Sequence, residues 1–209
     1  MKIKGLIYDL DGTIIDSEQI HEAGWIAAGK KFKVRITKKM LLLQKGRPDN
    51  EVTSLFLPKD KLLLSAKFVK AKEEYVIKNL STVSLLPGFK QAVSTLEKKG
   101  VPLWICTSSK KFFIQAVLKK VPALSSFKNK IVYRELYKRG KPFPEPLLLT
   151  SKKMRLLPEE CYYIGDAKAD FKAAQNAKMN FIFFNSCNAR KSPSPLSMKN
   201  HQEIMTYLK

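Results

Sequence analysis

The chain contains no apolar run approaching the ~18 residues that a membrane-crossing helix needs, which predicts a protein that does not span a bilayer. Its short hydrophobic stretch near the start is interrupted by Asp9 and Asp11, unlike the continuous apolar segment of a secretory signal. Cysteine is scarce. Cys106, Cys161 and Cys187 are odd in number and lack metal-ligand spacing, and two of them fall in strand-like runs. That excludes a disulfide framework and predicts buried thiols in a reducing, cytoplasmic setting. Acidic residues are also few: 18 Asp and Glu against 39 Lys and Arg leave a formal charge of +21. Such a balance favours anionic ligands, whether phosphate esters, acidic surfaces or nucleic acid. The lysines are dispersed, however, in pairs such as Lys30-Lys31, Lys38-Lys39, Lys98-Lys99 and Lys152-Lys153. A generally basic surface is therefore expected, with nucleic acid a less favoured partner. No internal repeat is present.

What is there is enough for a substantial core: 209 residues, 44% of them apolar. Residues 4–9 read as a buried first strand, and the next strand-like run, residues 101–106, comes only much later. Between them the pattern is helical, over residues 17–30, 37–44, 49–57 and a long amphipathic stretch 59–80 with Leu63, Ala66, Val69, Val76 and Ile77 near one face. This predicts a helical insertion, 17–83, within an α/β domain made of 1–16 and 84–209. After Pro87-Gly88 helices and strands alternate: helices beginning at Phe89, over 110–120, near Pro144 and over 169–177, with strands at 101–106, 130–133, 162–165 and 181–184. Alternation of this kind implies a parallel sheet covered on both faces, with ligands gathering at the carboxyl ends of its strands. Residues 188–199, with Pro193 and Pro195, read as an exposed connection before a final short helix.

Four motifs end or follow the predicted strands. In Tyr8-Asp9-Leu10-Asp11-Gly12-Thr13, the two carboxylates stand two positions apart and point the same way in an extended chain. Like charges so close invite a hard divalent cation held through oxygen, Mg²⁺ above all, and a carboxylate beside such a metal can attack phosphorus. Cys106-Thr107-Ser108-Ser109-Lys110 brings hydroxyls and loop amides to the start of a helix, a favourable place for phosphate oxygens. Gly140-Lys141-Pro142-Phe143-Pro144 fixes one cation between prolines. Tyr163-Ile164-Gly165-Asp166-Ala167-Lys168-Ala169-Asp170 adds further acidic ligands.

With these motifs in this order, the chain from Lys4 to about Asn185 resembles the haloacid dehalogenase-like hydrolase superfamily, in its phosphatase and phosphomutase branch with a helical cap after the first strand. The resemblance implies a Rossmann-like core and a mobile cap that closes over substrate. It implies that Asp9 is the nucleophile, and that Asp11 is the general acid and then the base that activates water. Thr107 and Lys141 match the phosphate-binding hydroxyl and the charge-balancing lysine, with Gly12, Thr13, Ser108 and Ser109 beside the phosphate. Mg²⁺ would be held by Asp9, the backbone carbonyl of Asp11 and Asp166. Asp170 is either a ligand through water, an acceptor behind the ligands, or an N-terminal helix cap.

Dehalogenase members lack an acid at the place of Asp11, so phosphate ester chemistry is expected. In the cap, His21, Lys45 and Arg47 resemble substrate-contacting positions; His21 alternatively is a satisfied cap histidine and Arg47 a surface charge, while Trp25 is expected to pack between helices. β-Phosphoglucomutase carries an arginine where this chain has Asp49, which weakens a mutase reading. Where the family has an apolar residue and a glycine, this chain has Pro146 and Lys178. The expected activity is phosphoglycolate phosphatase-like hydrolysis of a small phosphorylated metabolite by a monomer or homodimer. A sugar phosphomutase and a basic nucleic-acid-binding protein with vestigial catalysis are the rivals.

Overall fold

The computed structural model describes residues 3–44, 49–186 and 192–207. The chain divides into two compact units, Met1–Asp16 with Ser84–Lys209, and Ser17–Val83.

The first unit is built on a six-stranded parallel sheet. Its strands are β1 (Gly5–Tyr8), β4 (Leu103–Cys106), β5 (Ile131–Val132), β6 (Cys161–Gly165), β7 (Asn180–Phe184) and β8 (Ser197–Met198), in the order β5-β4-β1-β6-β7-β8. A small antiparallel pair, β2 (Ile15–Asp16) and β3 (Ser84–Leu85), lies where the chain leaves for and returns from the second unit. Strands β1 and β6 are buried along their whole length, as expected of parallel strands covered on both faces. The helices of this unit are α5 (Phe89–Lys98), α6 (Lys111–Lys120), α7 (Glu145–Met154) and α8 (Lys168–Asn176). α5 and α6 bury apolar stripes, Phe89, Ala92, Val93 and Leu96 on the first and Phe113, Ile114 and Val117 on the second. Cys106 and Cys161 are buried free thiols, and burial pushes both up to about 12.

Because β1 lies between β4 and β6, with Tyr8 paired to both Ile105 and Ile164, the residues just past three strand ends are neighbours: Asp9, Thr107 and Asp166. Two ladder extensions carry the register into these loops, Asp9 N–H to the Ile164 carbonyl at 2.8 Å and Thr107 N–H to the Val132 carbonyl at 2.9 Å.

The second unit holds α1 (Glu18–Lys31), α2 (Lys38–Gln44), α3 (Asp49–Phe56) and α4 (Ser65–Lys78). Trp25 packs between helices as expected, stacked on Phe68 and edge-on to Phe56 at 5.8 and 5.4 Å.

Three expectations are corrected. The stretch 59–80 is not one helix: Lys59–Leu64 is a 3₁₀ segment, and its three-residue turn shifts the phase, so Leu63 is 98% exposed while Phe68, Ala71, Lys72 and Val76 form the buried face of α4. Within 188–199, Ser197–Met198 is a sheet strand with Met198 buried, because it takes the free edge of β7. The final helix is a 3₁₀ segment, His201–Tyr207. Lys178 has a left-handed backbone, φ 55°, which explains the family's glycine there. Among the described residues no helix is long and apolar enough to cross a membrane.

Candidate active site

The loop after β1 is a tight turn. The Leu10 carbonyl accepts both Ile14 N–H at 2.8 Å and Ile15 N–H at 3.0 Å, and Gly12 N–H returns to the Ile15 carbonyl at 2.9 Å. Gly12 has φ 76°, and a Cβ there would lie 2.7 Å from Asp166 Oδ2, so only glycine lets this turn close on Asp166. Thr13, fully buried, directs its hydroxyl toward Asp166 Oδ1 at 3.4 Å.

Lys141 reaches the same place from a loop that Glu145 pins. The Glu145 carboxylate, at the start of α7, accepts the Lys138 and Arg139 amides at 2.7 and 2.9 Å, and these bonds hold it below the usual glutamate range. From there the Lys141 ammonium donates to Asp9 Oδ1 (2.8 Å), Asp170 Oδ1 (2.7 Å) and the Tyr163 hydroxyl oxygen (2.7 Å). The Tyr163 hydroxyl in turn donates to Asp170 Oδ1 at 2.8 Å, and the Ala167 amide donates to Asp170 Oδ2 at 3.0 Å. Both Asp170 oxygens are thus engaged by protein donors. Asp170 serves as a positioning acceptor and as the cap of α8 at once, two of the roles open to it from the sequence.

Asp9, Asp166 and Asp170 each offer an oxygen, all within 4.8 Å of one another. Burial pushes the Asp9 carboxyl well above its ordinary value; Lys141 opposes that push, and Asp170 and Asp166 reinforce it. Burial also works against the Lys141 charge, but Asp170 and Asp9 outweigh it and hold the ammonium well above the ordinary lysine value. Asp9 and Asp170 therefore share the Lys141 cation, with the Asp166 carboxylate close beside them. The donors are hard oxygens and the excess charge is negative, so these residues fit a divalent cation of the Mg²⁺ kind.

On the other side of Asp9, Ser109 donates its hydroxyl hydrogen to Asp11 Oδ2 at 2.6 Å. Thr107, buried, accepts the Ser109 amide on its Oγ1 at 3.0 Å, and its carbonyl accepts the Tyr137 hydroxyl at 2.9 Å. Ser108 is exposed. The structure thus brings together Asp9, Asp11, Gly12, Thr13, Thr107, Ser109, Lys141, Asp166 and Asp170. His21 stands in the first turn of α1 in the second unit, where its amide donates to the Ser17 carbonyl at 3.1 Å. Lys45 and Arg47, like Cys187, lie outside the described residues. Sequence reasoning missed Tyr163 and Tyr137. The first had a signal: it lies three positions before Asp166 in the same motif, on a strand whose end is otherwise chemical.

The sequence model of the haloacid dehalogenase-like hydrolase family matches residues 6–184. Hexitol phosphatase A of Escherichia coli (strain K12) is 26% identical over 89% of this chain and 85% of its own length. Phosphoglycolate phosphatase of Shigella boydii serotype 4 (strain Sb227) is 24% identical over 84% of this chain and 78% of its own. In fold, the chain is similar to a crystal structure of a HAD hydrolase, family IA, variant 3, from Entamoeba histolytica, with a TM-score of 0.85 at 21% identity, covering 100% of this chain and 97% of that one.

Proposed function

Because this chain belongs to the haloacid dehalogenase-like hydrolase family, we propose that it is a Mg²⁺-dependent phosphatase that hydrolyses a small phosphorylated metabolite through an aspartyl-phosphate on Asp9. The observation that carries this reading is the asymmetry around Asp9. One carboxylate oxygen is held by the Lys141 ammonium, which leaves the other for attack, and Asp11, held by Ser109, is two positions away.

In the first half-reaction the free oxygen of Asp9 bonds to phosphorus as the bond from phosphorus to the leaving oxygen breaks, and Asp11 gives that oxygen its proton. In the second, Asp11 takes a proton from water, whose oxygen attacks phosphorus; inorganic phosphate leaves and the Asp9 carboxylate is restored. Lys141 balances charge throughout. Asp9, Asp166 and the Asp11 carbonyl would hold Mg²⁺, with Asp170 orienting Lys141 behind them. Bound there, the metal would stabilise the negative charge of the transferring phosphoryl group.

The second unit, 17–83, is proposed as the cap that selects substrate. The relatives' names, hexitol phosphatase A and phosphoglycolate phosphatase, favour a small monophosphate, with phosphoglycolate-like hydrolysis as the starting point. A mutase is the weaker reading, since position 49, an arginine in β-phosphoglucomutase, is an aspartate paired with Lys72 at 3.2 Å. The test is phosphate release from a panel of phosphorylated metabolites and an aryl phosphate, with Mg²⁺ and with chelator. Wild type should release phosphate only with the metal, and Asp9→Asn should release none. Unchanged turnover by Asp9→Asn refutes the mechanism. An isomeric sugar phosphate in place of free phosphate supports the mutase.

A further inference from the structure

His201 is wholly buried among aromatic rings. Its ring stacks on Phe184 at 4.3 Å and meets the edge of Phe89 at 5.2 Å. Its Nε2 lies 2.7 Å from the Thr13 carbonyl oxygen. A carbonyl only accepts, so Nε2 carries the hydrogen and Nδ1 is bare; Nδ1 has no hydrogen-bond partner among the described residues. A buried acceptor left unsatisfied is costly, but a phenyl ring would instead take this donor from the carbonyl of the buried Thr13. What the imidazole adds over a phenyl ring is one donated hydrogen bond, to the turn that carries Asp11.

The surrounding contacts show that this bond is built in. The His201 amide donates to the Pro87 carbonyl at 3.0 Å, just past β3, while Leu86 N–H donates to the Ile14 carbonyl at 2.8 Å. The start of the C-terminal segment thus grips both arms of the β2–β3 pair. It also approaches very closely: a Cβ on Gly88, φ 76°, would fall 1.9 Å from Asn200 Oδ1. Asn200 is fixed in its turn, with Oδ1 accepting Gln202 N–H at 2.9 Å and its amide donating to Glu203 at 3.0 Å.

We propose that His201 is a positioning residue of the active site: its Nε2–H holds the Thr13 carbonyl and so locks the turn of residues 11–14, keeping Asp11 in place and Gly12 against Asp166. The consequence for catalysis rests on the roles given above to Asp11 and Asp166; the lock itself does not. The Thr13–Ile14 peptide plane is the hinge of the turn, since Ile14 N–H points to the Leu10 carbonyl on one side while the Thr13 carbonyl meets His201 on the other.

The test compares His201→Phe, which keeps a ring but has no donor, with His201→Gln, whose amide nitrogen is as far from Cβ along the chain as Nε2. Amide hydrogen exchange of residues 12–15 is measured in metal-free protein, alongside kcat and KM for an aryl phosphate with Mg²⁺. In H201F, exchange at 12–15 should quicken about tenfold or more while β6 and β7 amides hold, and kcat should fall about tenfold with KM little changed. H201Q should recover most of both. Unchanged exchange at 12–15 in H201F, or H201Q behaving as H201F, overturns the proposal. If H201F does not fold, H201N replaces it, since its amide reaches only to the place of Nδ1. If wild type releases no phosphate, the phosphatase reading fails, and the exchange comparison still decides the lock.

Discussion

Ser109 donates its hydroxyl hydrogen to Asp11 across 2.6 Å, joining the turn after β1 to the loop after β4. The Ser109 amide is itself fixed on Thr107 Oγ1, so the second motif acts as a brace for the first, in addition to any hold on phosphate. Ser109→Ala should therefore lower kcat by about 10- to 100-fold, the worth of a hydrogen bond to a charged group, with a smaller effect on KM. Steady-state kinetics on an aryl phosphate checks this; an effect on KM alone would mean that Ser109 only binds.

Asp9 is pushed above its ordinary value by burial, so its ionised form is strained in the folded protein without metal. A carboxyl raised on folding contributes stability that is fully present below the unfolded value near 3.8 and is lost as pH rises through the folded value. At neutral pH in chelator, Asp9→Asn should then melt higher than wild type although it is inactive. Mg²⁺ should narrow the gap by stabilising wild type more. Thermal melts with and without metal decide it.

In the second unit, Lys72 is buried, with its ammonium 3.2 Å from Asp49 and 5.0 Å from the Trp25 ring centre. Removing one partner strands a buried charge: Asp49→Ala should cost about 3 kcal/mol, and Asp49→Ala with Lys72→Met should recover much of that. Denaturant titration of both variants measures the difference.

Burial lowers the His201 imidazole to about 4. The unfolded chain takes up the proton near 6.5 and the folded one does not until about 4, so stability is fully present above 6.5 and is lost as pH falls to 4. The loss amounts to about 3 kcal/mol for this shift. Tyr8, the titratable group against the ring, stays protonated throughout because burial raises it. His201→Gln should flatten the slope between these limits in stability measured against pH.

The site was legible where chemistry follows a strand. Asp9, Thr107 and Asp166 each stand one residue past a buried apolar run, and parallel strands buried on both faces declare themselves as such runs. The β2–β3 pair and Ser197–Met198 were not legible, because two-residue strands carry no period and owe their existence to a partner distant in the chain. Tyr163 was hidden by its own apolar ring, which reads as core until the hydroxyl is seen between Lys141 and Asp170. His201 offered no motif; only its packing singles it out. Leu63 was misread because periodicity assumes a continuous α-helix, and the 3₁₀ segment breaks the count.

The central place of β1 also bears on how the protein is made. Gly5–Tyr8 is synthesised before both of its partners, and this strand must wait for Leu103–Cys106 on one flank and Cys161–Gly165 on the other. Until the latter emerges, the nascent chain displays one uncovered edge of this apolar strand beside Asp9 and Asp11. Charges beside an unpaired strand edge discourage strand-to-strand association, and Asp9 and Asp11 stand where that protection would act before the sheet closes.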